Sequence, residues 1–239
     1  YIGFLIERHW APYRQLGDMN MPGSYLIEIA AMRIFGMGDL AWRFFDFTLL
    51  AIASAAFFVV ARNSGAPFVT ASSARVGFNN QWLPALFSSS LFILIHGRDG
   101  LAEGGQRDLT MAVCLLAATA FLFLAVRNRS LLAAAAFALL SGIALTIKPT
   151  ALPLSAAELT IALLALRINP AVPKKIATRY ASPAILAALI APAIALAFIL
   201  REHALAAFLA GFHGIVPFYA SLGHRPLSFV VLHSISPLL

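Results

Sequence analysis

The chain has 239 residues, of which 61% are hydrophobic and only 11% charged, and its mean hydropathy is +0.85. A soluble domain of this length does not need that much apolar surface, so composition and the repeated long apolar runs point to a polytopic membrane protein. The formal net charge of +7 would raise nucleic-acid binding in a soluble protein, but here the basic residues flank apolar runs and read as an orientation signal, so no nucleic-acid partner is expected.

In chain order, Tyr1 to Trp10 carry Glu7, Arg8 and His9 and lack the pattern of a cleavable signal peptide. With no initiator Met, and with Ser236-Pro237-Leu238-Leu239 falling inside a fresh apolar segment, the sequence reads as a piece of a longer protein, truncated at both ends. Next comes Pro12 to Gly23, PYRQLGDMNMPG, a polar stretch punctuated by Pro12, Gly17, Pro22 and Gly23 and hence a structured loop. It holds Asp18 between Arg14 and Asn20. A carboxylate, a guanidinium and an amide at a membrane boundary suit a chemical site, and they equally suit a solvated loop capping the helix that starts near Ser24. An amphipathic helix follows. Arg43 and Asp46 then lie three apart at a helix start, hence on one face. They form either an anchoring ion pair or an arginine facing a site with its orienting carboxylate.

The apolar runs are Phe44–Ala61, Gln81–Ile95, Leu109–Val126, Ser130–Ile147, Ala151–Leu166 and Ala181–Leu200. Most approach the ~17–25 residues that cross a bilayer as helix, and Gln81–Ile95 should extend at one end. Ala204–Ala220 is a seventh segment, interrupted by His213, Gly214 and Pro217, and Pro226–Leu239 begins an eighth. Period-two alternation is absent, which argues against a barrel, and lipid-exposed backbone must bond internally. The expected fold class is all-α, a polytopic transmembrane helix bundle forming one domain over 1–239. Residues 1–43 form an extracytoplasmic loop and amphipathic helix, 44–200 six membrane helices, and 201–239 an extracytoplasmic or re-entrant helix plus the start of a further span.

Charge sets the orientation. Alternating from the N-terminal side, loops 62–80, 127–129 and 167–180 share one side and hold Arg62, Arg75, Arg127, Arg129, Arg167, Lys174, Lys175 and Arg179 with no Asp or Glu. That side is cytoplasmic. Asp18, Glu28, Asp39, Asp99, Glu103, Asp108 and Glu202 fall on or beside the other.

Three further places bear chemistry. Gln106, Arg107 and Asp108 follow two glycines at a helix start, where an anionic head group could meet a guanidinium fork, or where Asp108 simply caps the helix. Lys148 sits between two apolar runs before Pro149, which ends the helix and fixes where the ammonium points, and snorkelling to the interface also accounts for it. Glu158 lies about seven residues, or ~10 Å, into its run, and an acid at that depth is costly and faces the bundle interior. The histidines His96, His203, His213, His224 and His233 lack zinc-ligand spacing, and the single Cys114 cannot form an internal disulfide. No cofactor is expected, with a divalent metal left open.

The order Pro-Tyr-Arg, Asp-Met-Asn-Met-Pro-Gly, an amphipathic helix, Phe35-Gly36, then Ala-Trp-Arg43 opening a membrane helix resembles the integral-membrane GT-C glycosyltransferases. Within them it resembles the bacterial branch related to protein mannosyltransferases and aminoarabinose transferases. Gly105-Gln106-Arg107-Asp108 and the stretch Gly142 to Thr150 add to the resemblance, which covers roughly residues 10 to 155. It implies a bacterial inner-membrane enzyme with an extracytoplasmic site. The donor would be a sugar on a polyprenyl phosphate, and the acceptor a lipid, glycan or protein hydroxyl. Asp18 would be the base, although relatives often place that acid directly after the first membrane helix, outside this chain. Arg107, Lys148 and Arg43 would bind donor phosphate. Arg14, Asn20, Gln106, Asp108, Asp46 and Glu158 would support them. The rival readings are a transporter or flippase of lipid-linked sugars and a non-catalytic membrane scaffold.

Overall fold

A computed structural model describes residues 2–16, 20–64, 82–99, 106–168 and 176–222. Among these the chain is all-helical, 86% helix with no strand. The elements are α1 (Ile2–Glu7), α2 (Pro22–Phe35), α3 (Asp39–Ser64), α4 (Trp82–Asp99), α5 (Arg107–Asn128), α6 (Leu131–Ile147), α7 (Ala151–Ile168), α8 (Ile176–Arg201) and α9 (Leu205–Leu222).

Local signals explain several of the boundaries. Gly36 and Gly38, at φ 92° and 110°, separate α2 from α3 in a conformation that side chains with a Cβ avoid. The Gly36 N–H donates to Met32 O at 2.9 Å and closes α2. Ser130 caps α6, its hydroxyl oxygen accepting from Ala133 N at 3.2 Å. Lys148 ends α6 in extended backbone, the conformation imposed on a residue preceding proline.

The packing is small inside and large outside. Ala53, Ala56, Ala117, Ala118, Ala120, Ala138 and Ala144 are buried, whereas Leu132, Leu94, Phe87, Leu186 and Ile161 are exposed. Apolar solvent outside and close helix approach inside account for this arrangement. At the α6–α8 crossing a Cβ on Gly142 would fall against the Ala188 carbonyl, 3.2 Å from its carbon. α6 packs on α8, α5, α2 and α7, α5 packs on α3, α6 and α7, and α2 lies across α1, α3, α6 and α8.

Among the described residues, three helical stretches are long and apolar enough to cross a membrane, namely Asp39–Arg62, Arg107–Asn128 and Ser182–Arg201. The stretches Ala85–His96, Leu131–Ile147 and Ala151–Leu164 are apolar but shorter, so the six expected membrane helices are matched at that length by three. Two more differences stand out. Ile2–Glu7 is a helix where only loop was expected, held by Ile2, Leu5 and Ile6 against Tyr25. α9 runs unbroken through His213, Gly214 and Pro217. The expected eighth segment, Pro226–Leu239, and the loop residues Arg75, Glu103, Lys174 and Lys175 lie outside the described residues.

Candidate functional site

One end of the bundle collects the polar chemistry. Asp46, near the start of α3, meets His96 near the end of α4. Asp108, in the first turn of α5, meets Lys148 just after α6. Phe198 near the end of α8 packs against the cluster that Tyr25 of α2 forms with Ile6 and Leu16. These contacts put the starts of α3 and α5 at the same end as the finishes of α4, α6 and α8, with α2 laid over them.

Arg107, Asp108 and Lys148 form one cluster there. The Lys148 ammonium is ion-paired with the Asp108 carboxylate, and Arg107 Nε lies 3.9 Å from the same oxygen. One carboxylate between two cations leaves a net formal charge of +1. Arg107 is 48% exposed and Lys148 30%, so the surplus charge faces outward and an arriving anion can reach it. The Gln106 side chain makes no cap hydrogen bond to α5. Thr110, one turn in, is buried and spends its hydroxyl on Gln106 O at 3.0 Å.

Beside the cluster is a small cleft between α2 and the ends of α5 and α6. It is lined by Ser24, Glu28, Arg107, Thr110 and the apolar side chains Ile27, Trp42, Phe45 and Ile147, and encloses about 20 Å³. That is room for a single water. Ser24 is 6% exposed and its hydroxyl has no hydrogen-bond partner among the described residues. Glu28 Oε2 accepts from Gly3 N at 2.9 Å, tying α1 to α2. A second tie runs from Arg33 Nη2 to Glu7 Oε1 at 2.6 Å. The start of α2 is pressed onto α6 at Gly23, where a Cβ would lie 2.6 Å from the Thr146 carbonyl.

Of the residues singled out from sequence, Gln106, Arg107, Asp108 and Lys148 come together. Asp18 lies outside the described residues. Its loop is framed by Tyr13, whose hydroxyl donates to Asn20 O at 2.6 Å and whose ring packs 5.6 Å from Tyr25 and 5.1 Å from Phe208. Arg14 is exposed in the same loop, and Arg43 is exposed in the first turn of α3. Asp46 is buried and turned into the α3–α4 contact, its Oδ2 lying 3.2 Å from His96 Nε2. Glu158 lies deeper, against Thr119 of α5 at 2.6 Å. Sequence reasoning missed Ser24, Glu28 and Thr110 as site-lining residues. The available signal was spacing: Ser24 and Glu28 are one helical turn apart on α2, and Thr110 stands three residues after Arg107.

No group of three or more His, Cys, Asp or Glu suited to a metal occurs among the described residues. No family model, curated protein or solved structure matches the chain.

Proposed function

We propose that this chain is the core of a GT-C-like glycosyltransferase of the bacterial inner membrane. Its six longer apolar segments span the bilayer, and the end carrying Arg107 and Lys148 faces the extracytoplasmic side. The donor is a sugar on a polyprenyl phosphate that arrives laterally through the lipid. The acceptor is a lipid, glycan or protein hydroxyl.

The observation that carries this reading is the cationic cluster of Arg107, Asp108 and Lys148, in which both cations are solvent-accessible at the start of α5. A planar guanidinium and an ammonium, held together by one shared carboxylate, suit a phosphate that gains charge as a sugar leaves it. In the reaction, Asp18 takes the acceptor hydroxyl proton. The freed oxygen attacks the anomeric carbon from the face opposite the phosphate. The bond from that carbon to the phosphate oxygen breaks, its electron pair leaves on the phosphate, and configuration inverts. Asp108 keeps the two cations from repelling each other before the donor arrives, so the site is assembled in advance.

The test is made on the full-length protein purified in detergent. With a lipid-linked sugar and an acceptor present, polyprenyl phosphate is released. Movement of the lipid across a vesicle with the glycosidic bond intact overturns the reading in favour of a flippase. That second reading draws on Glu158, an acid well inside an apolar helix, since ionisable groups at depth mark transport pathways.

A further inference from the structure

The cleft between α2 and the ends of α5 and α6 restricts what can fill it in three ways. It encloses about 20 Å³, room for one oxygen-sized group, and a phosphate is larger than that. Its wall carries the Glu28 carboxylate, which repels an anion. The same wall carries Ser24, more than nine-tenths buried, whose hydroxyl has no partner among the described residues. A buried hydroxyl left without a hydrogen bond is costly, and such groups in folded proteins find a partner. Size, charge and the unpartnered serine together select a single neutral group that both donates and accepts. A carboxylate only accepts and a serine hydroxyl does either, so an entering hydroxyl gives its hydrogen to Glu28 and takes one from Ser24. Glu28 Oε2 also accepts from Gly3 N at 2.9 Å, which ties the side chain to α1. A carboxylate takes up to about four hydrogen bonds, so that tie does not exhaust it.

We propose that this cleft reads the 2-hydroxyl of the donor sugar, with Ser24 and Glu28 as specificity-determining residues; the inference rests on the glycosyltransferase reading. Arg107 belongs both to the cleft and to the cationic cluster with Asp108 and Lys148. With the phosphate on that cluster, the sugar starts at the bridging oxygen, beside the cleft mouth. The ring hydroxyl nearest that oxygen is the one on the carbon next to the anomeric carbon. It is the first substituent to reach the cleft while the phosphate stays on both cations. Trp42 and Phe45, with ring centroids 5.1 Å apart, supply an apolar wall for the C–H face of the ring. Hydrogen bonds at this hydroxyl strengthen as positive charge develops on the anomeric carbon, so they favour reaction as well as binding. The size limit also excludes a 2-acetamido group, which has four heavy atoms where the hydroxyl has one. The donor class is therefore polyprenyl-phosphate sugars with an unsubstituted 2-hydroxyl.

Donor affinity is measured on the full-length protein in detergent, by competition among undecaprenyl-phosphate glucose, galactose, mannose and arabinose, their 2-deoxy forms, and undecaprenyl-phosphate N-acetylglucosamine. Wild type should bind its preferred 2-hydroxy donor ~10–10²-fold more tightly than the 2-deoxy form, and should reject the N-acetylglucosamine donor. Ser24→Ala should shrink the 2-hydroxy to 2-deoxy ratio to a few-fold, whereas a merely structural role would weaken both donors and leave the ratio in place. An unchanged ratio in Ser24→Ala overturns the proposal, and so does an N-acetylglucosamine donor held as tightly as the glucose donor. Should Ser24→Ala fail to accumulate, Glu28→Gln, which keeps an oxygen for Gly3 N, should shrink the same ratio, and a ratio that stays in place overturns the proposal. Arg107→Ala reports the cationic cluster separately, by weakening 2-hydroxy and 2-deoxy donors alike. Donor binding that depends on Arg107 but ignores the 2-position overturns this inference alone, and no binding of any donor overturns the glycosyltransferase reading with it.

Discussion

Replacing Gly23 with alanine tests how α2 is seated over the bundle end. The added Cβ would lie 2.6 Å from the Thr146 carbonyl carbon and oxygen, and neither the main chain of α6 nor that of α2 can rotate out of the way. Ordinary carbon contact begins near 3.5 Å, so α2 must withdraw by roughly 1 Å. Overpacking of this kind costs about 1–3 kcal/mol, and the melting temperature in detergent should fall by several degrees. The effect on function should be disproportionate. Ser24, Ile27 and Glu28 ride on α2 and face Arg107 across the cleft, so a 1 Å shift of the helix misplaces one wall of the site. Misplacement by that distance reduces turnover by up to ~10²-fold. Gly142→Ala is the control. It meets the Ala188 carbonyl with comparable severity at the α6–α8 crossing, six residues before Lys148, so it should lower the melting temperature as much with a smaller loss of turnover per folded molecule than Gly23→Ala. The assays are thermal unfolding followed by intrinsic fluorescence and release of polyprenyl phosphate. A Gly23→Ala protein that melts and turns over like wild type would refute the argument, because the close approach at Thr146 could not then be setting the position of α2.

Asp18→Asn keeps shape but removes the base, so turnover should fall by ~10²–10⁴ with donor binding nearly unchanged in a titration, and near-normal turnover would move the base elsewhere. Arg107→Ala and Lys148→Ala should each weaken donor binding and slow turnover, since ground and transition states both carry phosphate charge, and Arg107→Lys should not restore a planar fork. For orientation, with Cys114 first replaced by serine, an impermeant thiol reagent added outside intact cells should label cysteine at the exposed position Met37 and not at Ser72 or Thr178. Labelling of Ser72 would invert the topology and place the cluster on the cytoplasmic side.

The helices were legible because apolar runs this long have few alternatives, yet their ends were not. α3 begins at Asp39 rather than Phe44, whereas α4, expected to extend at one end, continues to Asp99 beyond Ile95. Hydropathy reports where side chains meet apolar surroundings, whereas main-chain hydrogen bonding continues until a glycine, a proline or a cap stops it. Hence Gly36 and Gly38 mark the start of α3 better than its first phenylalanine does. α1 was invisible for the opposite reason. Six residues cannot sustain a helix alone, and this one depends on Tyr25 and on the ties from Glu28 and Arg33, all at long sequence separation.

The site divides in the same way. Arg107 and Lys148 could be assigned to a common end, since each borders an apolar run on the acid-rich side. The two-residue connection between α5 and α6 makes them antiparallel neighbours, but that Asp108 meets Lys148 depends on the register between the two helices, which no local pattern encodes. Asp46 shows tertiary contact overriding spacing: Arg43 is the near partner in sequence, but it sits in the exposed first turn, and the buried carboxylate faces a histidine fifty residues on. What decides these outcomes is the surface of α5. Its small inward residues Ala117, Ala118 and Ala120 let α3 and α6 approach closely, and that approach fixes where its charged first turn and Thr119 come to rest. A larger residue at Ala118 would therefore disturb the α6 and α8 side, where Phe137 packs, and shift Lys148 relative to Asp108 from about ten residues away. The placement of the cationic cluster is thus a consequence of alanine packing deep in the bundle as much as of the charges themselves.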